Sequence, residues 1–521
     1  MGLELLRKFF YGQLILPLTE NKSLALITAS ILASLGVYYG LIFRQAPLAK
    51  YYGVPLYDLL AMIRTDPRTQ GRLIIAFLLL ASLYFLGWKA AQSVSHRRVA
   101  WIMVMVGIAA SAAILLYLYP YDAADIFDNI SHGRIIAIYH ANPFQQVTID
   151  FPQDPFFHYP GWPKVPSAYG PLWEMMAGLT ASLAGDGIFE NVIAFKLLPA
   201  IFVVISVALT AVFMLRVDPK RALSSVWLLG MNPLVLYETF GHGHNDMAMV
   251  VWIIAAVLAI DRRKFSLAIL ALVIGGLIKY IPLLLIPVAG VIALVELPNP
   301  RERLRFLILT GLGAAILVTL AYAPFWGGLE TLTVERRTRL LTTSISSIVY
   351  NFLRQHIDAQ SAAAWVTEIS LYVTLLFSIW QADRAGRKSS LPLWLRFSNS
   401  GLNILLFYLL VTILWFHQWY LVWAIGLAVL LPPGPIWALA LFNSFAVLAK
   451  PFVIAPLVFL KLSPQSPEWL ELRLSVGVLA LPWVAAVLAL WNQYHHGRKK
   501  ANRVEPKPEG KLTEQRNNSA T

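Results

Sequence analysis

Long apolar runs separated by short polar segments make up most of this 521-residue chain. Many runs are about 20 residues long, the length that a helix needs to cross a bilayer. Backbone groups in lipid must pair within the chain, and barrel strands alternate in polarity, so uniformly apolar runs of this length favour helices. The pattern predicts an all-α polytopic membrane protein with about 14 transmembrane helices. The predicted spans are Leu24–Phe43, Leu73–Ala91, Ala100–Tyr119, Val192–Leu215, Ala222–Phe240, Met247–Ala259, Phe265–Leu277, Ile281–Val295, Phe306–Phe325, Ala363–Trp380, Leu402–Trp415, Tyr420–Leu431, Ile436–Leu460 and Leu474–Trp491.

Two divisions between these spans, and the omission of one apolar run from them, depend on more than length. Residues 265–295 and 402–431 could each form one long helix, and we divide them at Lys279–Tyr280 and His417–Gln418. A lysine at mid-bilayer costs roughly 2–3 kcal/mol or more on insertion scales, and histidine is also rare there. The run Pro171–Ala184 is short for a crossing, and the charge pattern assigns it to a juxtamembrane or re-entrant helix.

Basic residues are concentrated in short turns between the runs, such as Arg97–Arg98, Arg262–Lys264 and Arg384–Lys388. The positive-inside rule places these turns in the cytoplasm, together with both termini. Residues 1–496 are then one membrane domain of the plasma membrane, and residues 497–521 are a disordered basic cytoplasmic tail. The first large extracytoplasmic loop covers residues 120–191.

Composition agrees with this interpretation. The chain is 58% hydrophobic and 13% charged, against about 25% charged in soluble proteins. The net charge of +14 is explained by the basic turns, so we predict no nucleic-acid partner. The chain has no cysteine, which excludes disulfides and thiolate metal sites.

Acidic residues gather where the third predicted span meets water. Pro120 suits the first turn of a helix, and Asp122, Asp125 and Asp128 follow at a spacing of three, which predicts one helical face. Such carboxylates can be helix caps, or one can act as a general base for an attacking hydroxyl. Arg134 either holds a phosphate or carboxylate or marks the membrane interface.

The predicted orientation brings further polar groups to the same face. The segment GHGHND, residues 241–246, has glycines that permit a tight turn and looks like a ligand-facing loop; a metal site there is possible but not favoured. Basic side chains could hold a phosphate, although each alone could be a solvated cation. The candidate binding residues are His244, Asn245, Asp246, Lys279, Arg336, Arg337, Arg339 and His417.

The ordered segments DIFDNISHGRIIAIYHANPF, AYGPLW, GHNDMAMV and HQWYLVW resemble those of GT-C superfamily membrane glycosyltransferases. The resemblance is to polyprenyl-phosphate-mannose-dependent mannosyltransferases of bacteria and archaea, and it extends over most of residues 100–425. It implies an inverting transfer of a sugar, mannose by resemblance, from a polyprenyl-phosphate donor to a glycan or glycolipid acceptor. It assigns the general base to Asp125, with Asp122 and Asp128 as alternatives, and implies no cofactor. The competing hypothesis from the apolar architecture is a transporter or lipid flippase.

Overall fold

The computed structural model describes residues 19–55, 57–332, 341–445, 475–480, 482–488 and 490–491. Helices dominate these residues, and their extended pairing is confined to isolated bridges between Pro47 and Leu118 and between Thr342 and Trp415. The predicted all-α class is confirmed. The tail 497–521 and the arginines at 336, 337 and 339 lie outside the described residues.

The helices of seven or more residues up to residue 445 are labelled in chain order. They are α1 Glu20–Val37, α2 Leu59–Thr65, α3 Arg68–Ser93, α4 Arg98–Leu116, α5 Asp125–Ala137, α6 Pro171–Ala184, α7 Ile188–Val217, α8 Pro219–Gly230, α9 Asp246–Asp261, α10 Phe265–Gly276, α11 Ile286–Glu296, α12 Pro300–Tyr322, α13 Ile345–Leu353, α14 Ala359–Gly386, α15 Leu393–Phe407, α16 Val422–Ala428 and α17 Pro435–Asn443.

Seven helical segments in the described residues are long and apolar enough to cross a membrane. The chain is therefore an all-α membrane protein, whereas the count of 14 spans stays a prediction. These segments are Glu20–Gln45, Arg68–Ser93, Arg98–Leu116, Ile188–Val217, Pro300–Phe325, Ala359–Gly386 and Leu393–Thr412. Several other predicted spans correspond to shorter helices, among them Phe265–Gly276 and Ile281–Glu296.

Burial separates the outer helices from the centre of the bundle. On α12, Leu304, Ile316 and Leu320 are more than half exposed, as expected of side chains that face lipid. Helix α9 is instead largely buried, and it packs against α7, α10, α15 and α16. Since α9 begins at Asp246, the GHGHND segment stands at one end of the central helix.

Both proposed divisions of long apolar stretches are found. Helix α10 ends at Gly276, and a 3-10 turn over Ile281–Leu285 follows before α11 begins. The other stretch breaks after Thr412 and resumes as the turn Gln418–Leu421, which leads into α16. In each case the chain breaks next to the predicted polar pair, Lys279–Tyr280 or His417–Gln418.

The prediction of one continuous span over Ala222–Phe240 is wrong. Helix α8 ends at Gly230, and Asn232 caps a short turn at Pro233–Val235 that continues as a π-helix over Leu236–Gly241. Proline has no amide hydrogen and cannot continue the α8 hydrogen-bond ladder. The break leaves Glu238 beside the GHGHND segment.

The expectation that Pro120 opens a helix carrying all three aspartates is also wrong. Helix α5 begins at Asp125, so Asp122 precedes it. The backbone before α5 bonds to the segment after α1 instead: the Tyr119 amide donates to Ala46, and the Leu59 amide donates to Tyr121. These long-range bonds occupy the Tyr119 amide and the Tyr121 carbonyl, which a helical turn at Pro120 would need for its own hydrogen bonds.

The run Pro171–Ala184 forms helix α6, which packs against α5. A Cβ at Gly133 of α5 would lie 2.5 Å from the Ala177 carbonyl oxygen, so this position requires glycine for the close crossing. The predicted helix is present, and its placement at the membrane edge stays a prediction.

Candidate active site

Asp125 is the first residue of α5, and its carboxylate is the most accessible of the three aspartates. Its side chain is 25% exposed, whereas Asp122 and Asp128 are each 7% exposed. Its Oδ2 lies 3.8 Å from Nδ1 of His244, which belongs to the GHGHND segment. A partly accessible carboxylate beside an imidazole can receive a proton from a bound hydroxyl group.

Asp128 lies one helical turn further along and faces the loop that follows α5. Its carboxylate accepts hydrogen bonds from the amides of Trp162, at 2.9 Å, and Gly161, at 3.3 Å. Burial, aided by the negative charge of Asp125, raises the pKa of Asp128 to about 8. The two carboxyl groups therefore differ, because the buried Asp128 holds a proton near neutral pH whereas Asp125 is partly exposed.

Asp122 connects two distant segments. The side-chain amide of Gln418 donates a hydrogen bond to Oδ2 of Asp122 at 3.2 Å. Gln418 belongs to the HQWYLVW segment, 296 residues later in the chain. The contact holds the start of residues 120–191, here called the aspartate loop, against the turn before α16.

The GHGHND segment and the HQWYLVW segment meet through stacked rings. His244 stacks on Trp419 with centroids 4.1 Å apart, and His417 stacks on the same indole at 3.9 Å. Gly243 permits the turn before His244, because its φ is +73° and an added Cβ would lie 2.6 Å from Ile126. Asn245 is buried and immediately precedes α9.

Glu238 is a site residue that the sequence interpretation missed. It is 1% exposed, and its Oε2 lies 3.4 Å from Nε2 of His244 and 4.0 Å from Nδ1 of His242. Glu238 thus approaches the His244 ring from the nitrogen opposite to Asp125. The available signal was a glutamate inside an apolar run, which is costly in a membrane and therefore suggests a function.

Asp246 and Lys279 form an ion pair at 2.6 Å. The indole nitrogen of Trp423 also donates to Asp246. The Lys279 ammonium lies 4.8 Å from the Tyr420 ring centre, 5.4 Å from that of Trp423 and 5.6 Å from that of Tyr169. One carboxylate and three aromatic faces therefore hold this cation in place.

Tyr169 reaches this cluster because the AYGPLW segment packs on the backbone before Lys279. The Gly170 amide donates to Ile278 at 2.9 Å, and a Cβ at Gly170 would lie 2.1 Å from the Leu277 carbonyl oxygen. Burial raises the pKa of Tyr169 well above its usual range, and the charges of Asp125 and Asp246 are among the further causes. Asp125 contacts His244, which lies two residues before Asp246, so Asp125 and the Asp246–Lys279 pair belong to one cluster.

Arg134 lies away from this cluster. Its guanidinium donates to Asp154 at 2.9 Å, to Asp186 at 2.9 Å and to the Gly185 carbonyl at 3.1 Å. It is 2% exposed. These bonds tie α5 to its loop and to the end of α6, so the geometry favours a structural role, and contact with substrate stays a prediction.

Asn142, the first residue of the NPF triplet, also makes contacts within the protein. Its amide donates to the Phe325 carbonyl at 2.7 Å, and its oxygen accepts from the Phe144 amide. Asn142 therefore joins the aspartate loop to the 3-10 turn that follows α12.

Among the described residues, no group of three or more His, Cys, Asp or Glu side chains is arranged to hold a metal ion. The predicted phosphate contacts Arg336 and Arg337 fall outside the described residues. The site as described therefore contains Asp125, Glu238, His244, Asp246, Lys279 and the aromatic rings around them.

The family model described as alpha-(1->6)-mannopyranosyltransferase, N-terminal domain (MptA_B family) matches residues 27–295, just over half of the chain. The match covers the aspartate loop, the GHGHND segment and Lys279, and His417 lies beyond it. No curated protein matches the chain. With this match, the chain belongs to the alpha-(1->6)-mannopyranosyltransferase family and is a membrane mannosyltransferase of the GT-C type.

Proposed function

We propose that the protein transfers mannose from a polyprenyl-phosphate donor to a hydroxyl group of a glycan or glycolipid acceptor, with Asp125 as the general base. The observation that carries this proposal is the chain of contacts that joins Asp125 to Lys279. Asp125 lies beside His244, which stacks on Trp419, and the neighbouring Tyr420 ring faces the Lys279 ammonium. Such a pair provides one group for the attacking hydroxyl and one for the leaving phosphate.

The proton transfer is assigned by the difference between the two aspartates. Asp125 takes the proton of the acceptor hydroxyl, the new carbon–oxygen bond forms at the anomeric carbon, and the bond to the phosphate oxygen breaks. Asp128 is unsuitable because its raised pKa leaves it protonated near neutral pH. Direct displacement from a β-linked donor gives an α-linked product.

The leaving group is a lipid phosphate, which needs little protonation. Lys279 is the cation next to the reacting groups, and a donor phosphate would share it with Asp246. His244 and Asp246 orient the sugar or the acceptor, while Trp419 and His417 provide stacked rings beside them. Arg336 and Arg337 are proposed as further phosphate contacts from the sequence alone.

The donor is tested with membranes that contain the full chain. Labelled mannose should reach the acceptor from polyprenyl-phosphate mannose, and not from a nucleotide-diphosphate mannose alone. Transfer should persist in a chelator, because no metal takes part in the proposed reaction. Transfer only from the nucleotide sugar, or transfer that a chelator stops and a divalent cation restores, would contradict the proposal.

The proposed topology has about 14 spans in the plasma membrane, both termini in the cytoplasm and the site outside. Because the chain has no cysteine, single cysteines can report sidedness. Lys164→Cys lies in the aspartate loop and Lys388→Cys in a basic turn, and both positions are exposed. In intact cells a membrane-impermeant thiol reagent should label only Lys164→Cys. Labelling of Lys388→Cys alone would place the basic turns outside the cell and contradict the proposed topology.

A further inference from the structure

A cavity of about 310 Å³ lies outside the candidate active site. It is bounded by the end of α3, the start of α8 and the start of α17. Its lining includes Trp88, Gln92, Lys220, Ser225 and Trp437. A volume of this size accommodates a small polar headgroup.

This cavity stands at the opposite end of α4 from the aspartate loop. The Ser95 hydroxyl, in the turn before α4, donates to the Pro219 carbonyl at the start of α8 at 2.7 Å. Helix α4 has 19 residues and leads to the aspartate loop, which places the two ends about 28 Å apart. The cavity is therefore a separate site at the end of the bundle that carries the basic turns.

Two residues of the lining each carry a buried polar atom that makes no hydrogen bond within the described part of the chain. The atoms are the indole nitrogen of Trp437, which is 3% exposed, and the hydroxyl of Ser225, which is 1% exposed. A buried donor without a partner costs about 1–3 kcal/mol. Since the indole N–H can only donate, its partner must be a hydrogen-bond acceptor.

The charged residues point to an anion. Arg221 is occupied, because it lies 3.5 Å from Asp218 and donates to the carbonyls of Leu430 and Leu431. Lys220 is exposed and makes no ion pair with a described residue. The lining thus offers one available cation and neutral donors, while the nearby carboxylate of Asp218 is paired.

We propose that this cavity binds the phosphate group of an anionic headgroup, with Lys220 contributing the charge and Trp437 and Ser225 the neutral hydrogen bonds. A phosphate has several acceptor oxygens and can satisfy all three donors at once. Gln92 provides a fourth donor for a hydroxyl or an oxygen next to the phosphate. The phosphate can belong to a membrane lipid or to a soluble compound, and the experiment separates these sources.

The test measures binding to the purified full chain in a neutral detergent. The probes are a short-chain phosphatidylglycerol, the matching phosphatidylcholine and inorganic phosphate. Phosphatidylglycerol should bind at one site, with affinity lowered about tenfold in Lys220→Gln and about fivefold in Trp437→Phe. Lys388→Gln removes an exposed lysine from another basic turn and should bind as the unmodified protein does.

The outcomes distinguish the alternatives. Competition by inorganic phosphate indicates a soluble ligand, and its absence indicates a lipid headgroup. Equal binding of phosphatidylcholine, no binding of any probe, or unchanged affinity in both Lys220→Gln and Trp437→Phe overturns the proposal. A melting temperature of Trp437→Phe equal to that of the unmodified protein shows that a lower affinity reflects loss of the site and not loss of the fold.

Discussion

The ammonium of Lys279 lies 2.6 Å from the carboxylate of Asp246, and the rings of Tyr169, Tyr420 and Trp423 surround it. Lys279 lies in the break between α10 and the 3-10 turn that begins at Ile281, while Asp246 begins the central helix α9. The pair therefore connects two backbone interruptions at the same end of the bundle. It holds a positive charge in the cluster that also contains Asp125 and His244, and the leaving phosphate of the proposed reaction would need such a charge.

Removing one partner of this pair should be costly. Asp246→Asn leaves the Lys279 charge with no buried counter-charge, and such changes cost about 3–5 kcal/mol. We expect a lower melting temperature in detergent and a loss of transfer. The double variant Asp246→Asn/Lys279→Gln should recover part of the stability and none of the activity.

The matched control is the exposed pair of Asp383 and Arg387, which has the same 2.6 Å separation but side chains that are 60% and 71% exposed. Asp383→Asn should change stability by less than about 1 kcal/mol. Equal melting temperatures for Asp246→Asn and Asp383→Asn would show that the central pair contributes no more than a surface pair.

Glu238 should act as a positioning residue through His244. Glu238→Gln keeps the shape of the side chain and replaces the carboxyl group that faces the imidazole with an amide, so His244 should lose its orientation toward Asp125. We expect kcat to fall about 10- to 100-fold, with a changed pH profile and little change in expression. Glu368→Gln alters an exposed glutamate on α14 and should have no effect. A normal pH profile and normal kcat in Glu238→Gln would leave Glu238 without this role.

The raised pKa of Asp128 predicts a pH dependence of stability. In the folded protein Asp128 keeps its proton up to about pH 8, whereas in the unfolded chain it loses it near its ordinary value of 3.8. The folded state therefore binds more protons between these values, and this contribution to stability is lost as the pH rises toward 8. Asp128→Asn should make the melting temperature less dependent on pH over this window. Asp150→Asn, which changes an exposed carboxylate, should keep the original dependence. Identical pH profiles for the two variants would exclude a protonated Asp128.

Gly170 should tolerate no side chain. A Cβ there would lie 2.1 Å from the Leu277 carbonyl oxygen, so Gly170→Ala must displace Tyr169 or the backbone before Lys279. We expect lower stability and lower transfer. Gly311→Ala is the control, since nothing lies within 4 Å of its added Cβ and alanine favours the helix by about 0.5–1 kcal/mol. Unchanged transfer in Gly170→Ala would show that the close approach of Gly170 to Leu277 is not needed for activity.

The sequence predicts those features that depend on local pattern. Apolar length locates Leu24–Phe43 within the observed segment Glu20–Gln45, and single polar residues correctly locate the breaks at Lys279 and before His417. Glu238 was missed because the apolar run Ala222–Phe240 hides the interruption that Pro233 causes. The position of Asp122 depends on backbone bonds to a segment more than 60 residues earlier, which helical spacing cannot reveal.

The sequence also does not reveal which charged side chains pair with each other when they are distant along the chain. Asp246 and Lys279 were both predicted as site residues, but their pairing across 33 residues appears only in the fold. For Arg134 the sequence leaves a phosphate contact, a carboxylate contact and a place at the membrane interface open, because its partners Asp154 and Asp186 lie 20 and 52 residues away. Charge alone therefore does not separate a binding cation from one that holds a loop.

The central claim is that Asp125 is the general base, and a comparison of transfer rates in three variants tests it most directly. With saturating polyprenyl-phosphate mannose, Asp125→Asn should lower the rate at least about 100-fold, while Asp150→Asn keeps the full rate and Asp122→Asn, which retains a carbonyl oxygen for Gln418, keeps most of it. Full transfer by a folded Asp125→Asn protein would contradict the account.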